Sequence, residues 1–211
     1  MSRPRFENLD PQRQERLFES AAEEFGEKGY EAASLNRILE RSGMSKSSLY
    51  YYFDDKADLF TTMLERALAF LFKEIGGLDI EKLTADTFWS EFVALYRRSI
   101  EMMNRKTWYM KLGRMFYRLH DTPKGAAPTG RVFQAVRQWM SVVIERGQAL
   151  GVIRTDLPTP LLIGCAMGIG EALDRWAIVY WEQYDQDELL AMAEEHIDLF
   201  RRLLAPPKDA A

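Results

Sequence analysis

The chain has one cysteine, Cys165, and two histidines in 211 residues. A single thiol cannot close an intrachain disulfide, and the compartment expected is the reducing cytoplasm. Two histidines without metal-ligand spacing assign no metal. With one cysteine they leave few nucleophile–base pairs, and no Gly-rich phosphate loop is present. No catalytic residue and no cofactor are therefore assigned, and an enzyme is not expected. No apolar run approaches the roughly 18 residues of a membrane span, and "MSRPRFENLDPQ" has no apolar signal region. No stretch alternates with period two between hairpin turns. Excess positive charge is missing too: 28 Lys and Arg stand against 32 Asp and Glu, a net charge of −4. The first 60 residues carry nine basic and twelve acidic side chains, or −3. Bulk charge thus does not announce a nucleic-acid partner.

Helical patterns are present almost throughout. Asp10 before Pro11 is a helix start, and Leu17, Phe18, Ala21, Ala22 and Phe25 form an apolar stripe that "GEKGY" ends. Ser34 is placed to cap a short helix carrying Leu35, Ile38 and Leu39. Gly43 supplies a tight reversal, and Ser45 caps a third helix. A fourth begins at "FDDKADLF" and runs to about 75–77. Further helices are predicted over 84–104, 107–120, 129–150, 159–182 and 186–204. The fold class is all-α, with about nine helices: a three-helix head and a larger bundle.

The stretch "SKSSLYYYF" (45–53) carries the strongest local signal. At roughly 100° per residue, Lys46, Ser47, Tyr50 and Tyr51 share one face of a helix. Leu49, Tyr52 and Phe53 lie largely on the other. One face can pack while the other shows hydroxyls and a lysine to something outside. Between residues 33 and 53, Arg37, Arg41 and Lys46 against Glu40 give a local +2. A helix, a turn with Gly and a second short polar helix is a helix-turn-helix order.

The segment "ASLNRILERSGMSKSSLYYYFDDKADLF" resembles the DNA-binding signature of the TetR family of bacterial transcription regulators. Ser34, Ile38, Gly43, Ser45, Leu49-Tyr50, Phe53, Lys56 and Leu59 fall in register without an insertion. The upstream "LFESAAEEFGEKGYEAAS" is similar to the family's first helix and turn, so the resemblance covers about residues 10 to 65. It departs at Leu39, where Ala is common, and at Ser47, where Gly is common. The resemblance implies that the helix at about 45–52 enters the major groove of double-stranded DNA. Ser34, Lys46, Ser47, Ser48, Tyr50, Tyr51 and Lys56 are then the DNA-binding candidates, with Arg3 and Arg5 as a basic arm. The plainer reading of the same residues is half-buried packing and helix caps.

Beyond residue 65, aromatic and Met side chains crowd the middle helices. Trp89, Tyr96, Trp108, Met115 and Phe116 are the candidates for an apolar ligand pocket, and ordinary core is the competing reading. Lys111, Arg114 and Arg118 form a row that reads as a solvated face, with contact to an anionic ligand as the alternative. "LLIGCAMGIGEALDRWAIVYW" spaces Gly164, Gly168, Ala172 and Trp176 four residues apart, a strip that permits close helix approach. With Ile197 and Phe200 on the last helix, these are the candidates for a homodimer interface; a core internal to one chain is the other reading.

The expectation is a helix-turn-helix DNA-binding domain over 1–55 and a ligand-binding and dimerisation domain over 56–211. Its function would be that of a homodimeric transcription regulator, a repressor released from a palindromic operator by a small hydrophobic effector. The rival is a helical scaffold or sequestering protein of the same fold that has lost DNA binding, a possibility the acidic head motivates.

Overall fold

The computed structural model describes residue 6 and residues 8–105, 108–122 and 126–207. The side chains at 49, 67, 68, 70–72, 74, 108 and 126–128 lie outside that description. The described elements are α1 (Pro11–Ala32), α2 (Leu35–Ser42), α3 (Lys46–Tyr52), α4 (Lys56–Glu74), α5 (Phe88–Arg105), α6 (Trp108–His120), α7 (Ala126–Ala149), α8 (Thr159–Tyr180), α9 (Gln186–Ala191) and α10 (Ala193–Leu204). Short 3-10 turns occupy Ile80–Lys82 and Trp181–Gln183. The architecture is all-α, and no strand occurs among the described residues. Among them, too, no helix is long and apolar enough to cross a membrane.

The chain packs as two units, one of Met1–Phe70 with Lys106–Val132, the other of Leu71–Arg105 with Phe133–Ala211. In the first unit, Asp10 starts α1 by accepting the Arg13 N–H at 3.2 Å, with Pro11 at the first helical position. Leu17, Ala21, Ala22 and Phe25 are fully buried, and α1 packs on α2 and α6. Its last turn is broken at Gly29, where φ is 73°; only glycine takes this conformation without steric cost. Phe6 joins the same core, 5.5 Å from the Phe18 ring and 4.9 Å from the Phe53 ring.

The second unit has its core on Phe88, Val143, Ile144, Ile153, Leu162, Ile163, Ala166 and Leu204. A further cluster joins Ile100, Leu189 and Ala193 to Tyr96, Trp176, Trp181 and Tyr184. The single helix expected over 186–204 is two. Asp185 and Glu188 form a capping box at the start of α9, and Met192 (φ −72°, ψ −11°) ends it and begins α10. Leu189 before the break and Ala193 after it are buried in one cluster with Ile100.

Candidate nucleic-acid interface

The head's outer helix is placed by the turn before it. Gly43 takes φ 70°, its N–H donates to Glu40 O at 3.3 Å, and the Met44 N–H donates to Leu39 O at 3.0 Å. This pair of bonds is a Schellman cap, which closes α2 and reverses the chain into α3. Ser45 then caps α3, its Oγ accepting the Ser48 N–H at 3.2 Å. The same Oγ lies 2.9 Å from Ser47 Oγ and 2.8 Å from Ser48 Oγ. Three hydroxyls therefore gather at the start of α3, beside Lys46.

The faces of α3 separate as the spacing predicts. Lys46 and Ser47 are exposed and Ser48 is half-buried. Tyr50 is 61% exposed and Tyr51 47%. Tyr52 turns inward, its ring 5.9 Å from Phe6 and 6.5 Å from Phe53, which is fully buried. Tyr50 and Tyr51 keep about half or more of their surface in water, which forgoes apolar burial; Tyr51 lies edge-on to Tyr52 at 5.0 Å, and Tyr52 anchors the helix. The result is an outward face of phenol and hydroxyl groups with one ammonium.

Two expected roles change in detail. Ser34 sits at the start of α2, but its side chain makes no cap bond. Its backbone N–H instead donates to Glu24 Oε1 at 3.1 Å. Lys56 Nζ donates to Glu31 O at 2.9 Å and Ala33 O at 3.3 Å, and lies 5.0 Å from the Tyr30 ring centroid. It ties the end of α1 to the start of α4 with two of its three donors. Tyr30 itself has its phenol pKa raised, by burial first and then by the charges of Asp55 and Glu31. Arg3 and Arg5 lie outside the described residues.

The local positive charge is redistributed as well. Arg41 Nη1 is 3.8 Å from Glu23 Oε2 and 3.9 Å from Glu24 Oε2, and Nη2 is 3.7 Å from Glu27 Oε2. Glu24 and its link to Arg41 were missed because Glu24, between Ala22 and Phe25, reads as one more acid in an acidic helix. Only its complete burial singles it out.

The ligand candidates divide between the units. Met115 and Phe116 are buried in the first, where Phe116 stacks on His120. His120 Nδ1 is 3.1 Å from Thr129 Oγ1. Trp89 and Tyr96 belong to the second. Trp89 packs edge-on to Phe88 at 5.1 Å, and Tyr96 Oη is 2.9 Å from His196 Nδ1. Burial, with the Asp174 charge as a lesser cause, raises the Tyr96 pKa to about 12. The Trp108 side chain lies outside the described residues. Among the described residues no group of three or more His, Cys, Asp or Glu is placed to hold a metal ion.

The dimer candidates also divide. Gly164, Gly168 and Ala172 are exposed on α8, and a Cβ added at either glycine would meet no atom within 4 Å. Leu161, Val179 and Tyr180 are large apolar residues exposed on the same helix. Trp176 is half-buried, its ring 5.5 Å from Tyr184 and 5.3 Å from His196. Ile197 is buried within its own chain and Phe200 packs on the second unit's core. The large apolar residue that α10 exposes is Leu199, which the sequence pattern had not singled out.

Comparison with known proteins gives a consistent picture. The family model described as bacterial regulatory proteins, tetR family, matches residues 17–63. A 55-residue stretch is 38% identical to the HTH-type transcriptional activator FasR of Mycolicibacterium smegmatis, covering 26% of this chain and 25% of that protein. The HTH-type transcriptional repressor AcnR of Corynebacterium glutamicum is 26% identical over 150 residues, covering 69% of this chain and 71% of that one. The fold is shared with the transcriptional regulator FadR of Bacillus subtilis, solved in complex with stearoyl-CoA. That match has a TM-score of 0.72 at 14% identity, over 89% of this chain and 97% of that one.

Proposed function

This chain belongs to the bacterial tetR family of regulatory proteins, and from that premise we propose how its parts divide the work. It is a DNA-binding transcription regulator, a homodimer on a palindromic operator, and a repressor that a small hydrophobic effector releases. Residues 1–55 carry DNA recognition, and 56–211 carry effector binding and dimerisation. The reading has the protein working in the cytoplasm and catalysing no reaction.

The observation that carries the reading is α3. It is anchored by Tyr52 and Phe53 and shows Lys46, the serine hydroxyls, Tyr50 and Tyr51 outward. Such a helix fits the major groove, with Tyr50 and Lys46 suited to phosphates and Ser47, Ser48 and Tyr51 to phosphates or base edges. The Ser34 hydroxyl, which makes no cap bond, and the third Lys56 donor add phosphate contacts. One seven-residue helix reaches few base pairs, so two-fold pairing through the open glycine strip of α8 doubles the contacts.

The effector proposed is apolar or aromatic, and uncharged or weakly anionic. The aromatic and Met residues of α5 and α6 favour it, and the fold-mate FadR was solved with stearoyl-CoA. The ligand must bind the DNA-incompetent dimer more tightly, since equal affinity for both states shifts nothing. The coupling expected is about 1–3 kcal/mol, or roughly 5- to 150-fold in operator affinity.

The test is selection of bound duplexes from a random pool, followed by competition with hydrophobic compounds, long-chain acyl thioesters included. Recovery of a palindrome released by an apolar compound is the expected result. A chain that enriches no sequence and binds duplex DNA only weakly at low salt is instead the scaffold of the rival reading.

A further inference from the structure

Glu24 is the charged side chain among the fully buried described residues of the head. A buried carboxylate is costly unless its oxygens are satisfied. Here one is and one is not. Oε1 accepts the Ser34 N–H at 3.1 Å. Oε2 has no hydrogen-bond partner and faces Arg41 Nη1 at 3.9 Å, beyond hydrogen-bonding distance. An apolar side chain would spare that cost while removing the acceptor of the Ser34 N–H; the two terms oppose each other, so stability alone gives little reason for the carboxylate.

Its two contacts fall at the two ends of one helix. Ser34 is the residue that begins α2, and Arg41 lies in its last turn. The usual local device for the first N–H is a Glu or Gln at the third helical position. That position is Arg37, which has no acceptor. Glu24 replaces it from α1, across ten residues of chain. The Ser34 hydroxyl itself makes no cap bond. The far end of α2 passes through Gly43 into α3, so whatever fixes α2 on α1 also fixes where α3 starts.

We propose that Glu24 is a positioning residue for operator recognition. Its carboxylate sacrifices stability to hold one placement of α2 and α3 on α1. The inference rests on the DNA-binding reading above. Buried polar groups that select one arrangement among packings of similar energy are known elsewhere. The bond to the Ser34 N–H is the part that positions, and Arg41 supplies charge balance.

The experiment compares the parent chain with Glu24→Gln and Glu24→Leu. The amide keeps an acceptor for the Ser34 N–H, and leucine keeps the approximate volume with no acceptor. Three quantities are read: the thermal midpoint, the ratio of affinities for the selected operator and random duplex, and hydrogen-exchange protection of the Ser34 amide. Glu24→Leu is expected to unfold no earlier than the parent, to lose Ser34 protection, and to lose operator preference about tenfold, the scale of one well-placed hydrogen bond. Glu24→Gln is expected to keep both the protection and the preference. A folded Glu24→Leu chain with parental preference overturns the proposal. So does a Glu24→Leu chain that fails to fold, because Glu24 would then be a stability element. Loss of preference in Glu24→Gln with Ser34 protection intact overturns it as well. Failure of the parent to enrich any sequence counts against DNA binding instead, and the Ser34 protection still reports whether the bond exists.

Discussion

Replacing Gly168 by leucine should have opposite effects on the single chain and on the dimer. Gly168 is exposed on α8, and a Cβ there meets nothing within 4 Å. The isolated chain can therefore accept the side chain, and helix propensity favours it over glycine by roughly 0.8 kcal/mol. If α8 meets its two-fold copy along Gly164, Gly168 and Ala172, the same leucine overfills the contact at about 1–3 kcal/mol per site. Two-fold symmetry places the change on both sides. The loss is then ~2–6 kcal/mol per dimer, so the dissociation constant rises at least ~30-fold. Sedimentation equilibrium across the micromolar range measures it, and operator affinity should fall with it as one half-site contact is lost. Gly130→Leu on α7 is the control, an exposed helical glycine also without atoms within 4 Å of an added Cβ. It should leave the dimer intact. A folded Gly168→Leu chain that dimerises as tightly as the parent would refute the reasoning, because the strip would face solvent in the assembly.

Other outcomes follow from the same geometry. Tyr50→Ala should weaken binding to operator and random duplex alike, by about tenfold, since phosphate contacts carry no sequence information; anisotropy titrations against both duplexes check it. Lys46→Ala should lower the slope of log affinity against log salt by about one. Gly147→Ala should destabilise the chain despite its better helix propensity, because the added Cβ meets Ile153 Cδ1 at 2.5 Å and Phe88 Cζ at 3.0 Å, both side chains buried. Overfilling by about 1–3 kcal/mol exceeds the propensity gain of about 1 kcal/mol, and a lower urea midpoint is the expected reading. His196 is held below its usual pKa by burial, against the smaller opposing effect of Glu195. The unfolded chain thus binds its proton at higher pH than the folded one, so stability should fall as pH drops below about 6.5, and His196→Gln should flatten that fall in thermal scans.

Which features were legible in the sequence depended on how locally they were determined. The Asp10–Pro11 start, the Gly43 reversal and the Ser45 cap are properties of a few consecutive residues, and each occurs as spacing and turn chemistry predict. The inward turn of Tyr52 beside outward Tyr50 and Tyr51 follows from helix periodicity alone. Ser34 makes no side-chain cap, and the acceptor of its N–H, Glu24, lies ten residues upstream on another helix, where no local pattern shows it. The break at Met192 is not legible either, because the apolar pattern of 186–204 runs through it and only the backbone at Met192 (φ −72°, ψ −11°) marks it. On α10, Ile197 and Leu199 are equally apolar, and only the packed helix shows which is buried.

The same distinction resolves the charge argument that stood against DNA binding. A sum of −3 over the first 60 residues treats every carboxylate as if a phosphate met it. Between exposed charges at physiological salt, interaction is largely screened beyond a Debye length of about 8 Å, so what matters is the local face. In the folded head, Glu23, Glu24 and Glu27 are gathered around Arg41. Asp55 and Asp58 spend side-chain oxygens on the N–H groups of Asp58 and Asp54 at the start of α4. Lys46 stands exposed at the start of α3 among neutral hydroxyls and phenols. A backbone approaching that face therefore meets an ammonium and neutral hydrogen-bonding groups at close range, whatever the total. On the DNA-binding reading proposed above, such a face is expected to give modest affinity at a single half-site and a shallow salt dependence, which titrations of a half-site duplex across salt concentrations check. The reliance on a paired half-site then follows from electrostatics as much as from the reach of a short helix.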